Sequence, residues 1–152
     1  MNYFFFSMFF TLSHIISYFI AGIASYLFSK DMYTGGERTL DFLVDPSEGD
    51  EAKFTAYKVL PAQIVRGLLM SVVLYPVLGA IADLSFTTQF LFFTGLMYIY
   101  TDLSSAVPFP SNIEGQVYMK KRHLTKHSFL KPQIEIIIYS VIFGILVSLF
   151  AF

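Results

Sequence analysis

Four long apolar runs, almost free of charge, decide what this chain can fold into. Residues 3–28 hold no charged side chain, 59–82 only Arg66, 86–102 only the terminal Asp102, and 133–152 only Glu135 near its start. The hydrocarbon core of a bilayer is about 30 Å thick and takes roughly 20 helical residues to cross. In lipid every backbone donor and acceptor must be paired within the segment, so only helices and closed barrels qualify. A barrel needs short stretches alternating in polarity, and runs such as Phe4-Phe5-Phe6 and Ile136-Ile137-Ile138 do not alternate. The reading is therefore an all-α integral membrane protein: one domain over residues 1–152, with four transmembrane helices in an antiparallel up-down bundle.

Composition narrows the function classes. Charged residues make up 14% of the chain, against about 25% in a soluble domain. That excludes an ordinary soluble enzyme, a disordered tail and a nucleic-acid-binding domain. The count of zero cysteines excludes disulfide, zinc-ribbon and thiol chemistry. The first run lacks a basic leading segment and is far longer than the apolar stretch of a signal peptide, so it reads as a retained anchor.

The spans are punctuated by proline and short links. Asp83-Leu84-Ser85 is so brief a connection that spans two and three are expected to form a tight hairpin. Pro61 is expected in the first turn of span two and Pro132 at the start of span four, where a missing N–H does little harm. Pro76 falls inside span two and should kink it.

Of the ten Lys and Arg residues, nine lie in or beside residues 29–58 and 103–132, the loops after spans one and three. The positive-inside rule places both loops in the cytoplasm and both termini on the far side of a plasma or inner membrane. Residues 29–58 carry seven acids and four bases, net −3, and residues 103–131 carry five bases and Glu114, net +4. The first loop reads as turns around the apolar patch Leu40 to Val44. It is either a solvated, partly mobile loop or an electrostatic dock for the third loop or for a basic partner. In that third loop Lys120, Lys121, Arg122 and Lys126 are placed to touch anionic lipid headgroups, each basic residue near the surface contributing about 1 kcal/mol. The same charges also serve as a topology signal.

Intramembrane charges are costly and mark functional or paired sites. Arg66 lies 18 residues before Leu84 and Asp102 lies 18 after it, so each sits about 27 Å from the outer turn. Counting back from the C-terminus brings Glu135 to a similar level. An Arg66–Asp102 pair locking the hairpin is the expected arrangement, with Glu135 completing a cluster at the cytoplasmic mouth. Tyr98 and Tyr139 lie four residues from Asp102 and Glu135 and would face that cluster. With His14, deep in span one, they form a possible relay. His123 and His127 share helical spacing, but the Glu of a zinc-binding His-Glu-x-x-His motif is missing. No metal or cofactor is expected. Neither a nucleophile–base–orienter set nor a phosphate-cradling loop is present, so no catalytic residue is assigned.

Small residues recur every four positions: Ser13, Ser17, Ala21 and Ser25 on span one, Ser140, Gly144 and Ser148 on span four, with Gly67 and Ser71 on span two. Such stripes let helix backbones approach closely. They seal the bundle or dock a second copy or another membrane protein. The leading functional expectation is thus a small non-catalytic membrane subunit acting by helix–helix association. The alternatives are a proton- or ion-coupled carrier or channel using the Arg/Asp/Glu cluster, and an inner-leaflet lipid enzyme using Asn112 and Glu114.

Overall fold

The uncharged first run becomes α1 (Tyr3–Tyr33), 31 residues and so about 45 Å long. We describe it from a computed structural model covering residues 2–36, 38–47 and 49–152. Glu37 and Glu48, two of the seven acids counted in the first loop, lie outside the described residues. Asn2 starts α1 by accepting the Phe4 N–H on its side chain at 2.9 Å. Thr34 ends it, its N–H bonding the Lys30 carbonyl, and Gly35 follows at φ +89°, a conformation that side-chain-bearing residues avoid.

Helix α2 (Gly49–Val73) begins ten residues before the apolar run, with Asp50 and Glu51 in a first turn that favours acidic side chains. Pro61 therefore sits inside the helix and not in its first turn. The expected break at Pro76 is present. Leu74 leaves the helix, a 3-10 turn covers Tyr75–Val77, and α3 (Leu78–Ala82) completes the run. After Ser85, whose hydroxyl accepts the Thr88 N–H, α4 (Phe86–Gly95) gives way to a π-helical stretch, Leu96–Leu103. The Ser104 N–H bonds the Ile99 carbonyl at 2.8 Å, the five-residue step of that winding. Past the short α5 (Ile113–Tyr118), α6 (Lys126–Phe150) starts at a reciprocal Thr125/Ser128 cap. Pro132 lies in the seventh position of α6, not at its start, so the Ser128 carbonyl loses its helical partner.

Among the described residues all regular structure is helical, and α1, α2 and α6 are each long and apolar enough to cross a membrane. Helix α1 is central. It packs most extensively on α6 and next on α2, and α4 packs on α6. The three-residue link joins α4 to the short α3, and α2 and α4, expected as a tight hairpin, make no extensive contact. An aromatic cluster knits α1, α4 and α6, with Phe10 edge-on to Phe143 at 5.0 Å and Phe93 edge-on to both at 6.2 and 6.3 Å. Such edge-to-face pairs contribute about 1 kcal/mol each beyond area burial.

The two loops dock on each other at one end of the bundle. The Arg122 guanidinium approaches Asp41 at 3.5 Å and donates its Nε–H to His123 Nε2 at 3.0 Å. That leaves His123 Nδ1–H to donate to the Thr39 carbonyl at 2.9 Å. Phe42 packs edge-on against both Phe109 and His123, and Lys131 of α6 pairs with Asp31 of α1 at 2.6 Å. The first loop contacts the third through Asp41, Thr39 and Phe42, while most of its described residues from 41 to 47 stay exposed.

Candidate functional site within the helices

The site is built on α1. Its serine face turns inward, and His14, which has no solvent exposure, sits midway along it. His14 Nδ1 lies 2.6 Å from the Tyr139 hydroxyl of α6 and Nε2 lies 2.9 Å from Gln63 Oε1 of α2. With the amide as placed, Nε2–H donates to Gln63 and the Tyr139 hydroxyl donates to Nδ1, so a neutral imidazole is satisfied at both nitrogens. The other tautomer closes only when the Gln63 amide turns over to donate its N–H to Nε2; Nδ1–H then donates to the Tyr139 hydroxyl, which has Met97 Sδ at 3.7 Å as its own acceptor. One imidazole thus ties three helices and accommodates either tautomer.

One turn further along α1, Tyr18 and Ala21 join Arg66, Glu135 and Tyr139 around a small cleft that also reaches His14. Glu135 is half-buried. Its Oε2 accepts the Ser25 hydroxyl at 2.6 Å, and the Tyr33 hydroxyl is turned toward it. Among the described residues no Lys, Arg or His approaches it within 4.0 Å. Glu135 and Tyr18 also line a second cavity, under the docked loops, with Tyr26, Tyr33 and Phe109. They line a third as well, on the outer side of α1, with Ile23 and Leu27. Gly22 borders both of these. A methyl group there would meet nothing within 4 Å, so the missing side chain leaves the space open.

The structure brings only part of the sequence-assigned cluster together. Arg66 and Glu135 share a cleft, but the Arg66–Asp102 ion pair is absent among the described residues. Equal depth did not produce a pair because α2 leans on α1 while α4 leans on α6. Asp102 sits in the π-helical stretch, half-buried, with Oδ2 unpartnered and with Glu135 and Arg66 as the charges acting on it. Tyr139 joins His14. Tyr98 does not face Asp102 but donates to Gln133 at 2.8 Å, and Gln133 in turn donates to the Ser111 carbonyl. Gln63, Tyr18 and Tyr33 carry parts of the site that sequence reading missed. Gln63 had a signal, a polar residue three positions before Arg66 and so on the same helical face.

All nine small packing residues are buried inside the single chain. Ser71 donates to Ser7, which shares a 2.6 Å bond with Tyr75, and a methyl on Gly67 would lie 2.9 Å from Thr11, so the α2 stripe seals against α1. Gly144 faces Thr94 and the Phe90 carbonyl of α4, not α1. Lys120, Lys121 and Lys126 lie exposed, while Arg122, also exposed, is held by Asp41.

The motif-like stretch from Asn112 to Tyr118 is a structural knot. Asn112 Oδ1 accepts from the Phe109 and Gly115 N–H groups, its Nδ2 donates to the Val107 carbonyl, and Gln116 donates to the Pro110 carbonyl. Asn112 is buried, and both its Oδ1 and its Nδ2 serve the fold of this segment. His123 is likewise occupied in the loop dock, and no group of three or more His, Cys, Asp or Glu able to hold a metal forms among the described residues. No family model, curated protein or solved structure matches the chain, so the reading of this site rests on its own geometry.

Proposed function

We propose that the chain is a small four-span membrane protein that couples to proton or cation movement through Glu135. The observation that carries this is a half-buried carboxylate, without a cation in reach among the described residues, at the junction of three adjoining cavities. A charge in a span is retained against its desolvation cost when it faces a cavity or a partner, and Glu135 faces cavities. On this reading α4 and the π-helical stretch supply the fourth span. The docked loops lie on the cytoplasmic side, as their nine basic residues imply, and both termini lie outside. Glu135 is reached from the loop end, and His14, Gln63 and Tyr139 form the polar network beyond it. A neutral imidazole bonded at both nitrogens can exchange tautomers in passing a proton.

The association reading has lost the feature that motivated it, since the small-residue stripes are consumed by the chain's own packing. It keeps one support: of the 25 residues of α2 only Gly67 and Ser71 are buried, which leaves most of that helix to lipid or to a second copy.

The test is proton flux into proteoliposomes containing an entrapped pH dye, with an imposed membrane potential. Wild-type protein is expected to carry a flux above protein-free vesicles, lost in Glu135→Gln and reduced in His14→Phe. A wild-type flux indistinguishable from empty vesicles, under both potential polarities, refutes the coupling.

A further inference from the structure

Resting on that reading, we infer that Glu135 and the aromatic rings around it form a binding site for an alkyl-ammonium group, with its apolar tail leaving toward lipid along α1. Four rings, Tyr18, Tyr26, Tyr33 and Phe109, share one cavity with the Glu135 carboxylate. They come from α1 and from the third loop, brought together by the loop dock. The faces of aromatic rings attract cations, most of all weakly hydrated organic ammonium ions, and a carboxylate beside them supplies the counter-charge. A hard metal cation fits poorly. Calcium takes six to eight oxygen ligands and magnesium demands six in near-octahedral geometry, whereas this cavity offers a single carboxylate amid tyrosine and phenylalanine.

The tail direction follows from the adjoining space. Tyr18, Gly22, Tyr26 and Glu135 also border the cavity on the outer side of α1, whose remaining lining is Phe19, Ile23 and Leu27. Ile23 and Leu27 are exposed at 67% and 83% in a helix apolar enough to span a membrane, so this side opens to lipid. Gly22 keeps the passage between headgroup and tail free, since nothing stands within 4 Å of where its side chain would begin.

The experiment is isothermal titration of the protein in nanodiscs with octyltrimethylammonium, octyl sulfate and tetramethylammonium, beside the flux assay above. Wild type is expected to bind octyltrimethylammonium saturably, tetramethylammonium more weakly and octyl sulfate not at all. Glu135→Gln, which keeps the shape of the side chain, is expected to lose at least tenfold in affinity. Tyr26→Leu, at an exposed ring with no hydrogen bond, is expected to lose about fivefold, and it guards against misfolding of the first variant. Octyltrimethylammonium affinity unchanged in both variants, or equal uptake of octyl sulfate, overturns the inference. Glu135-dependent proton flux without ammonium binding overturns it too, while leaving the coupling intact. Saturable, Glu135-dependent binding without flux upholds the site and overturns the coupling instead.

Discussion

Replacing Gly144 with alanine separates internal packing from association between copies. A methyl group built at Gly144 meets Thr94 Oγ1 in hard contact and the Phe90 carbonyl at 3.0 Å. The first neighbour is a side-chain tip, and the second is backbone of α4 that cannot turn away. Overpacking of this kind costs about 1–3 kcal/mol. Against it stands the gain in helix propensity from Gly to Ala, about 1 kcal/mol. The net expectation is a destabilisation of about 1 kcal/mol. Thr94→Ala removes the closer contact, and Thr94 Oγ1 has no hydrogen-bond partner to lose. The double variant should therefore regain most of the loss, a coupling that additive behaviour does not give. Gly22→Ala is the control, since a methyl there touches nothing within 4 Å. The assay is reversible unfolding of the detergent-solubilised protein by dodecyl sulfate, followed by circular dichroism at two protein concentrations tenfold apart. A midpoint loss in Gly144→Ala that changes with protein concentration, or that Thr94→Ala fails to rescue, refutes the placement of this seam between α4 and α6 of one chain.

Other outcomes follow from single contacts. Gln63→Leu leaves His14 Nε2 without its partner and should cost about 1–3 kcal/mol in the same unfolding assay, whereas Gln63→Glu should cost less. Gly115→Ala drives a methyl into the Phe109 backbone and should open the segment 104–125 to limited proteolysis. Arg122→Gln should loosen the loop dock, seen as faster amide exchange at Leu40 and Leu43, without shifting the unfolding midpoint of the helices. The Ser47 hydroxyl and N–H, with the Gly35 N–H, hold the Asp45 carboxyl below the usual carboxylate range. A lowered folded-state value gives a contribution present above the unfolded value near 3.9 and lost as pH falls through the folded one. The first loop should therefore become protease-sensitive below about pH 4, and Asp45→Asn should reproduce that sensitivity at neutral pH.

The all-helical character, with helices long and apolar enough to cross a membrane, was legible because bilayer thickness and backbone pairing leave a chain with such apolar runs few other choices. The break at Pro76 was legible for a covalent reason. Counts along the chain are readable, but the winding of each stretch and its rotation about the helix axis are not. Arg66 and Asp102 therefore lie at matching counts from Leu84 without pairing. The small-residue stripes announce close helix contact but not with which neighbour, and Gly144 faces α4. Helix starts were misplaced where polar residues continue a helix beyond the apolar run, as at Gly49 and Lys126, and the prolines at 61 and 132 became interior. The π-helical stretch around Asp102 and the knot at Asn112 depend on tertiary neighbours, and nothing in local periodicity reports them.

The packing order of the helices also fixes the order in which the protein can be made. The first and last long helices share the largest contact, and α4 has no extensive partner but α6. While the ribosome is still producing the loop before α6, His14 has Gln63 but not Tyr139, Ser25 has no carboxylate, and α4 has nothing to lean on. Of the main interhelical seams only the one between α1 and α2 can therefore form before α6 is made, and those of α6 with α1 and α4 wait for it. Until α6 is in place, part of the serine face that α1 buries in the finished fold is left uncovered.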